Sequence, residues 1–211
     1  MIICIIGKTG AGKTTIAKAV SKDLDIPLIK TYTSRPMRDN ETEDDYNFVS
    51  KDYFEKNKKD FIDIRSYTPA GYEDDTVWYY GIKKKDIKKR KKYIVVTDTE
   101  GFKNLSKHFE TRALIIESPD IDIIERLKLR GDKEEEITRR LKDDEEKIEK
   151  FIEETPNYKV ETVFNNAKLH SAINSAKIDI LTFQMNKGTF ITDIFFILSL
   201  IMFIILIFYR S

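Results

Sequence analysis

The stretch Gly7-Lys8-Thr9-Gly10-Ala11-Gly12-Lys13-Thr14 follows the apolar run Ile2-Ile3-Cys4-Ile5-Ile6 and decides the fold. It fits the pattern G-x-x-x-x-G-K-[ST], which carries meaning where a buried strand turns through glycines into a helix. A helical pattern that runs from Thr14 to Asp23 supplies that context. Because glycine lets the backbone curl with its N–H groups facing inward, such a loop can surround phosphate oxygens. The sequence therefore predicts a nucleoside triphosphate site at residues 7–14.

Two side chains of this loop carry further chemistry. Lys13 is expected to reach the terminal phosphates, and Thr14 is expected to hold Mg²⁺. The dipole of the following helix adds positive potential at the same point. The alternative is a glycine turn that binds nothing, but it would require the strand, the glycines and the helix to coincide by accident.

Length, charge and cysteine content bound the class of protein. The 211 residues suffice for one sizeable core. The 37 Lys and Arg residues nearly balance the 36 Asp and Glu residues, so we expect no nucleic-acid partner. Cys4 is the single cysteine, which excludes a disulfide framework and a cysteine-based metal site. With an apolar start too short for a signal peptide, these features predict a cytoplasmic catalytic domain.

Strand and helix patterns alternate along the chain. Strands are predicted at Ile2–Ile6, Lys92–Thr97, Ala113–Glu117 and Glu161–Phe164, and helices at Thr14–Asp23, Asp86–Lys91, Asp120–Leu129 and Glu134–Ile152. This alternation predicts an α/β fold with a parallel core sheet, here of five strands, flanked by helices. Between Thr31 and Gly81, aromatic residues, prolines and short β-like runs interrupt it. We interpret that stretch as an inserted mixed α/β lobe.

Two segments of the insert carry a more specific signal. Residues 31–41 read Thr-Tyr-Thr-Ser-Arg-Pro-Met-Arg-Asp-Asn-Glu, and residues 44–50 read Asp-Asp-Tyr-Asn-Phe-Val-Ser. They resemble the guanylate kinase family, whose monophosphate lobe carries S-x-x-T-R-x-x-R-x-x-E followed by D-Y-x-F. The resemblance runs to the neighbourhood of residue 186 through, in order, Tyr79-Tyr80-Gly81, Asp98-Thr99-Glu100-Gly101, Arg126-Leu127-Lys128-Leu129-Arg130-Gly131, Ile137-Thr138-Arg139-Arg140-Leu141 and Val163-Phe164-Asn165.

The resemblance implies a P-loop kinase fold over residues 1–187. Its core would comprise residues 1–30, 83–125 and 143–187, with a monophosphate-binding lobe at 31–82 and a helical lid at 126–142. It also implies a guanylate kinase, which transfers a phosphoryl group from ATP to GMP with Mg²⁺ and gives ADP and GDP.

The resemblance further implies a role for individual residues. Arg35 and Arg38 would clamp the acceptor phosphate, because guanidinium groups form paired charge-assisted bonds. Catalytic roles fall on Lys13, Arg35, Arg130 and Arg140. ATP would be bound by Gly7, Thr9, Gly10, Ala11, Gly12, Lys13, Thr14, Thr15, Arg126 and Asn165, with Thr14 as the metal ligand. GMP would be bound by Thr31, Arg35, Arg38, Glu41, Tyr46, Asp63, Tyr80, Gly81 and Asp98.

Guanine recognition depends on Thr31, Asp63 and Asp98. A hydroxyl would donate to O6 and carboxylates would accept from N1–H and the 2-amino group, whereas adenine would leave a buried carboxylate unpaired. Asp63 corresponds best to a longer glutamate of the family, and residues 68–76 that follow it are predicted to form an extra turn. If Asp63 does not read the base, the base preference stays open.

Two other functions remain open at this stage. The same fold could phosphorylate another phosphorylated acceptor, such as a ribose bisphosphate, although Thr31 and the Asp45-Tyr46-Asn47-Phe48 motif favour GMP. A binding module without catalysis is the other alternative. Such modules typically lose the loop lysine and glycines, which this chain keeps.

The C-terminal part of the sequence differs from the rest. Residues 194–209 are uncharged, and a helix of that length spans about 24 Å, against a hydrocarbon core of roughly 30 Å. Lys187 and Arg210 flank the segment. We predict a C-terminal hydrophobic helix that anchors residues 188–211 in a membrane, with a buried helix or self-association as alternatives. The basic run at residues 83–92 is interpreted as an exposed helix face or as a contact for anionic headgroups.

Overall fold

The computed structural model describes residues 1–39, 41–69, 76–166 and 168–185. The strands are β1 (Ile2–Gly7), β2 (Tyr32–Thr33), β3 (Asn47–Phe48), β4 (Phe61–Tyr67), β5 (Trp78–Lys83), β6 (Tyr93–Val96), β7 (Thr111–Glu117) and β8 (Val160–Phe164). The helices are α1 (Lys13–Leu24), α2 (Lys51–Lys56), α3 (Thr99–Ser106), α4 (Asp120–Leu129), α5 (Glu134–Glu154) and α6 (Leu169–Met185).

The main sheet is parallel, as predicted, with the strand order β6-β1-β7-β8. The predicted fifth strand is wrong for the described residues, because Leu28 forms only an isolated parallel bridge with Ile94. The Ile29 N–H donates to the Ile94 carbonyl at 2.8 Å, and the Ile94 N–H donates to the Pro27 carbonyl at 2.9 Å. Pro27 has no N–H of its own, so this edge segment cannot extend into a regular ladder.

Helices cover both faces of the main sheet, and β1 shows why. Its alternate residues point to opposite faces. Ile3 and Ile5 pack with residues of α1, α4 and α6 in one buried cluster. Ile2, Cys4 and Ile6 belong to the other cluster, with Phe102 of α3 and Phe151 of α5. A strand buried on both faces accounts for the continuous apolar run of the sequence.

Residues 31–83 hold a second, mixed sheet with the order β3-β2-β5-β4. β4 and β5 pair antiparallel, β2 pairs antiparallel with β5, and β2 pairs parallel with β3. Its small aromatic core contains Tyr32, Phe54 and Phe61. Ser50 caps α2 by accepting a hydrogen bond from the Tyr53 N–H at 3.2 Å. This sheet carries the segments that were expected to bind a monophosphate.

The helix predictions have a mixed outcome. α1 and α5 lie where the sequence predicts them, and α4 has the predicted bounds. The helix predicted at Asp86–Lys91 is wrong, since a single 3-10 turn at Lys84–Asp86 is followed by irregular backbone. Arg90 there has a left-handed φ of 66°, and consecutive like charges disfavour a helix. α2, α3 and α6 were not predicted.

The predicted membrane anchor at residues 188–211 lies outside the described residues. Within residues 1–39, 41–69, 76–166 and 168–185, none of the helices combines the length and apolar character needed to cross a bilayer.

Candidate active site

A cavity of about 1110 Å³ lies between the loop at residues 7–14, the second sheet and the helices α4 and α5. It opens at the carboxyl ends of β1 and β6, where parallel sheets of this kind bind ligands. Most of the sequence-predicted site residues line it. Four of them do not: Ala11, Asp63, Gly81 and Asn165.

The loop itself is built from β1 and the first turn of α1. Gly10 and Gly12 have φ values of +83° and +93°, which L side chains rarely adopt. A Cβ on Gly12 would stand 2.6 Å from Asn165 Nδ2. Asn165 is buried, and its side-chain amide donates to the Ala11 carbonyl at 2.9 Å. In this structure the Asn165 side chain supports the loop through the Ala11 carbonyl, and its place beside an adenine stays a prediction.

Lys13 begins α1 and points back across the loop. Its Nζ donates to the carbonyls of Gly7 and Lys8, each at 2.7 Å. Desolvation lowers the pKa of Lys13 to about 8; Asp144 opposes the shift, and the positive charges of Arg140 and Arg130 add to it. An ammonium held by the loop and surrounded by cations is suited to donate hydrogen bonds to phosphate oxygens.

Acidic side chains of α5 also contact the loop. The Thr9 N–H donates to Asp144 Oδ2 at 2.7 Å. Lys8 Nζ pairs with Glu145 at 3.2 Å and with Asp120 at 2.9 Å. The loop thus presents an N–H group that donates to an anionic carboxylate oxygen.

Three arginines from α4, α5 and the turn between them converge on the cavity. Arg126 Nη1 donates to the Gly10 carbonyl at 3.2 Å and to Ser118 Oγ at 3.1 Å. Arg130 forms an ion pair with Asp132 at the end of α4. The third, Arg140, makes longer-range contacts that join the two sheets.

Arg140 contacts three separate parts of the molecule. Its Nη1 donates to Thr9 Oγ1 at 3.2 Å, and its Nε lies 2.6 Å from the Tyr67 hydroxyl and 2.5 Å from Glu136 Oε1. Tyr67 ends β4, and its hydroxyl also contacts Glu136 and Arg139. Arg140 therefore joins α5 both to the loop, through Thr9, and to the second sheet, through Tyr67.

The predicted phosphate clamp lies on the far side of the cavity. Arg35 is 3% exposed, and its Nη2 donates to both carboxylate oxygens of Glu41, at 2.8 and 2.9 Å. Glu41 also accepts from the Arg38 backbone N–H at 3.0 Å and from Arg38 Nη1 at 3.4 Å, so it contacts both guanidinium groups. Desolvation lowers the pKa of Arg38, and the neighbouring charges of Arg130 and Arg35 lower it further. Such crowding of cations favours a bound anion.

The part of the cavity where the guanine base was expected, near Arg65 and Asp98, departs from expectation. We call it the base end. Asp63 is buried, and its two oxygens accept from Arg65 Nε and Asn104 Nδ2, each at 2.9 Å. Arg65 Nη1 pairs with Asp98 Oδ2 at 2.6 Å. The Gly101 N–H donates to Asp98 Oδ1 at 2.8 Å. In this structure Asp63 is not available to the cavity, whereas Arg65 lines it.

The electrostatics of Asp98 reflect this arrangement. Desolvation alone would raise the pKa of its carboxyl group, but the Arg65 guanidinium and the Gly101 N–H hold that pKa below its ordinary value. The negative charge of Asp98 is therefore compensated by Arg65, and Asp98 lines the cavity.

Comparison with known proteins identifies the family. Residues 3–151 match a family model described as AAA domain. The chain is 31% identical over 156 residues to a guanylate kinase of Fusobacterium nucleatum subsp. nucleatum, covering 69% of this chain and 80% of the relative. It is 30% identical over 146 residues to a guanylate kinase of Chlamydia muridarum, covering 66% and 68% of the two chains. The chain belongs to the guanylate kinase family.

A solved structure shows the same fold. The crystal structure of guanylate kinase from Anaplasma phagocytophilum superimposes with a TM-score of 0.64, covering 89% of this chain and 87% of the other. Its sequence identity is 17%, so this likeness concerns the fold of the family alone.

The cavity of this chain fits a Mg²⁺ ion that is bound together with phosphates. Among the residues described, there is no group of three or more acidic, histidine or cysteine side chains that could hold a metal. Mg²⁺ in triphosphate sites is commonly held by one or two protein ligands and by the substrate phosphates. Thr14 lines the cavity next to Lys13 and offers the hydroxyl that such a site requires.

The sequence did not point to five residues that lie in or around this cavity: Arg65, Tyr67, Asn104, Glu136 and Asp144. One of them left a signal. Arg65 lies two residues after Asp63, so a strand puts both on one face. Tyr67 and Asp144 contact residues more than sixty positions away in the sequence, so no local pattern indicates these contacts.

Proposed function

We propose that this chain transfers the γ-phosphate of ATP to GMP, giving ADP and GDP. The observation that carries the proposal is the composition of one cavity. The loop lysine Lys13 lines it together with four arginines from the second sheet and the lid: Arg35, Arg38, Arg130 and Arg140. This lining supports a donor-phosphate region at the loop and an acceptor-phosphate region at Arg35 and Arg38, with cationic side chains between them.

The donor nucleotide would occupy the loop. Backbone N–H groups of residues 7–14 and the Lys13 ammonium would hold the β- and γ-phosphates, and Arg126 would keep the loop in place through the Gly10 carbonyl. Bound at Thr14, Mg²⁺ would neutralise developing charge on the transferring group.

The acceptor phosphate would lie at Arg35 and Arg38. Glu41 pairs with the guanidinium groups of both arginines, and Tyr46 and Tyr80 line the same cavity. Bidentate contacts would direct a phosphate oxygen of GMP toward the γ-phosphorus in line with the leaving oxygen.

The transfer itself needs no covalent intermediate on the protein. Charge that spreads over the moving phosphoryl group would be stabilised by Lys13, Arg130 and Arg140. Closure of α4 and α5 over the cavity would exclude water, which would otherwise hydrolyse ATP. In this assignment residues 31–82 are the monophosphate lobe, residues 126–142 are the lid, and the other residues of 1–187 form the core.

A substrate panel tests the proposal. The full chain would be given ATP and Mg²⁺ with GMP, dGMP, AMP or ribose 1,5-bisphosphate, and ADP release would be followed. We expect GMP to have the highest kcat/KM. A higher value with the ribose bisphosphate would replace the proposal with the alternative kinase. A folded protein that does not bind Mg-ATP in calorimetry would favour the binding module.

A further inference from the structure

We propose that Arg65 is the residue that reads the acceptor base, and that it reads acceptor atoms of a 6-oxopurine. The inference rests on the proposed function and specifies its acceptor pocket. The guanidinium lies between Asp63 and Asp98, the two carboxylates that were expected to accept from N1–H and the 2-amino group of guanine.

Both carboxylates already have protein donors. The oxygens of Asp63 accept from Arg65 and Asn104, and those of Asp98 accept from Arg65 and the Gly101 N–H. Asp63 is 2% exposed and does not line the cavity, so it offers nothing to a 2-amino group there. The Asp98 side chain is 59% exposed and keeps acceptor capacity, but the Arg65 guanidinium already compensates its charge. The exocyclic amine therefore gains less from this pocket than it would from two unpaired carboxylates.

Arg65 itself has donors to spare. Nε is engaged by Asp63 and one N–H of Nη1 by Asp98, so of its five N–H groups the Nη2 pair and one on Nη1 are left. The residue is 7% exposed and lines the cavity. A guanidinium fork matches the O6 and N7 acceptors of guanine, and the 6-amino group of adenine would meet it donor to donor.

The surrounding chain holds Arg65 in this position. A Cβ on Gly101 would come within 3.0 Å of Arg65 Cζ and 2.0 Å of Thr97 Oγ1, so the glycine leaves room for the guanidinium. Within the described part of the chain, Thr97 Oγ1 is buried without a hydrogen-bond partner and lines the same cavity. Together with Thr31, it adds hydroxyl groups to an end of the pocket that is rich in donors.

The first test compares GMP with IMP, which differs only in lacking the 2-amino group. With the full chain, ATP and Mg²⁺, we expect their kcat/KM values to agree within about tenfold and AMP to be at least about 100-fold poorer. If GMP is a good acceptor and IMP is 100-fold worse, the Arg65 inference fails while the proposed function stands. If neither is phosphorylated, the proposed function fails and the inference fails with it.

The second test uses Arg65→Gln, which frees Asp63 and Asp98. We expect kcat/KM for IMP to fall at least about tenfold more than that for GMP, because released carboxylates favour the 2-amino group. Arg112→Gln is the matched control, since Arg112 is 8% exposed and lies in β7 outside the cavity. An unchanged GMP-to-IMP ratio in folded Arg65→Gln would overturn the inference. If that variant does not fold, the wild-type comparison alone decides.

Discussion

The phosphate loop and the base end of the cavity are built in opposite ways. The loop runs over eight consecutive residues from the last residue of β1 to the first turn of α1, and the groups proposed to bind phosphate there are mainly backbone N–H groups. The base end combines side chains from four separate places: Thr31, Asp63 and Arg65 of β4, Asp98, and Asn104 of α3. A site made of local backbone is encoded locally. A site made of side chains from distant positions changes its hydrogen-bonding groups when one residue, here Arg65, pairs with the others.

The largest expected effect breaks the loop side of this comparison. Lys13→Ala removes the ammonium that lies 2.7 Å from two loop carbonyls, together with its charge near the moving phosphoryl group. We expect kcat to fall by about 1000-fold or more, as for the loss of a main electrostatic group. Steady-state ADP release with saturating GMP measures it.

Lys8→Ala is the matched control in the same loop. Lys8 points outward to Asp120 and Glu145, and such partly exposed pairs contribute about 1 kcal/mol or less. We expect kcat to stay within about fivefold of wild type. Equal losses in the two variants would mean that Lys13 acts on the loop structure alone.

A smaller effect is expected at the acceptor clamp. Arg35→Lys keeps the charge but loses the planar fork that Glu41 holds in two hydrogen bonds. We expect kcat/KM for GMP to fall about 100-fold, in line with a loss of 2–3 kcal/mol from a charged hydrogen-bond pair. The KM for ATP in the same variant serves as the internal control and should not change. A parallel rise in the KM for ATP would contradict separate binding regions for ATP and GMP.

The pH dependence of ATP binding sharpens the comparison further. In the protein without nucleotide Lys13 has a pKa of about 8, and bound phosphates would favour its charged form. Above pH 8 the free protein must therefore take up a proton to bind, so affinity falls as pH rises. We expect the dissociation constant for Mg-ATP to increase about twentyfold between pH 7.5 and 9.5, as measured by calorimetry.

Lys13→Arg provides the control for this titration, because a guanidinium keeps its proton over that range. We expect weaker binding whose dependence on pH over the same interval is less than about threefold. An identical pH profile in wild type and Lys13→Arg would assign the titration to another group.

The difference between the two regions also explains what the sequence could predict. β1, the loop and α4 carry strong local patterns, and α4 appears with the predicted bounds. The clamp residues were found through a family motif, and Arg35 and Glu41 do contact each other. Asp63 was placed by its correspondence to a family glutamate but pairs with Arg65, because that correspondence gives a position and not the partner that the side chain meets. The predicted fifth core strand is wrong for the described residues, because Leu28 forms only an isolated bridge beside Pro27, which has no N–H to donate.

The smallest expected effect concerns Tyr67, where the two regions meet. Tyr67→Phe keeps the ring, which stacks on Trp78 at 6.1 Å, and removes the hydroxyl that contacts Arg140 and Glu136. Without it the lid loses one charge-assisted contact to the second sheet, about 1.5 kcal/mol, so kcat should fall about tenfold. The matched control is Tyr79→Phe on the adjacent strand, whose ring packs on Phe54. If both variants lose the same activity, the contact at Tyr67 does not couple the lid to the acceptor lobe, and the two regions act independently.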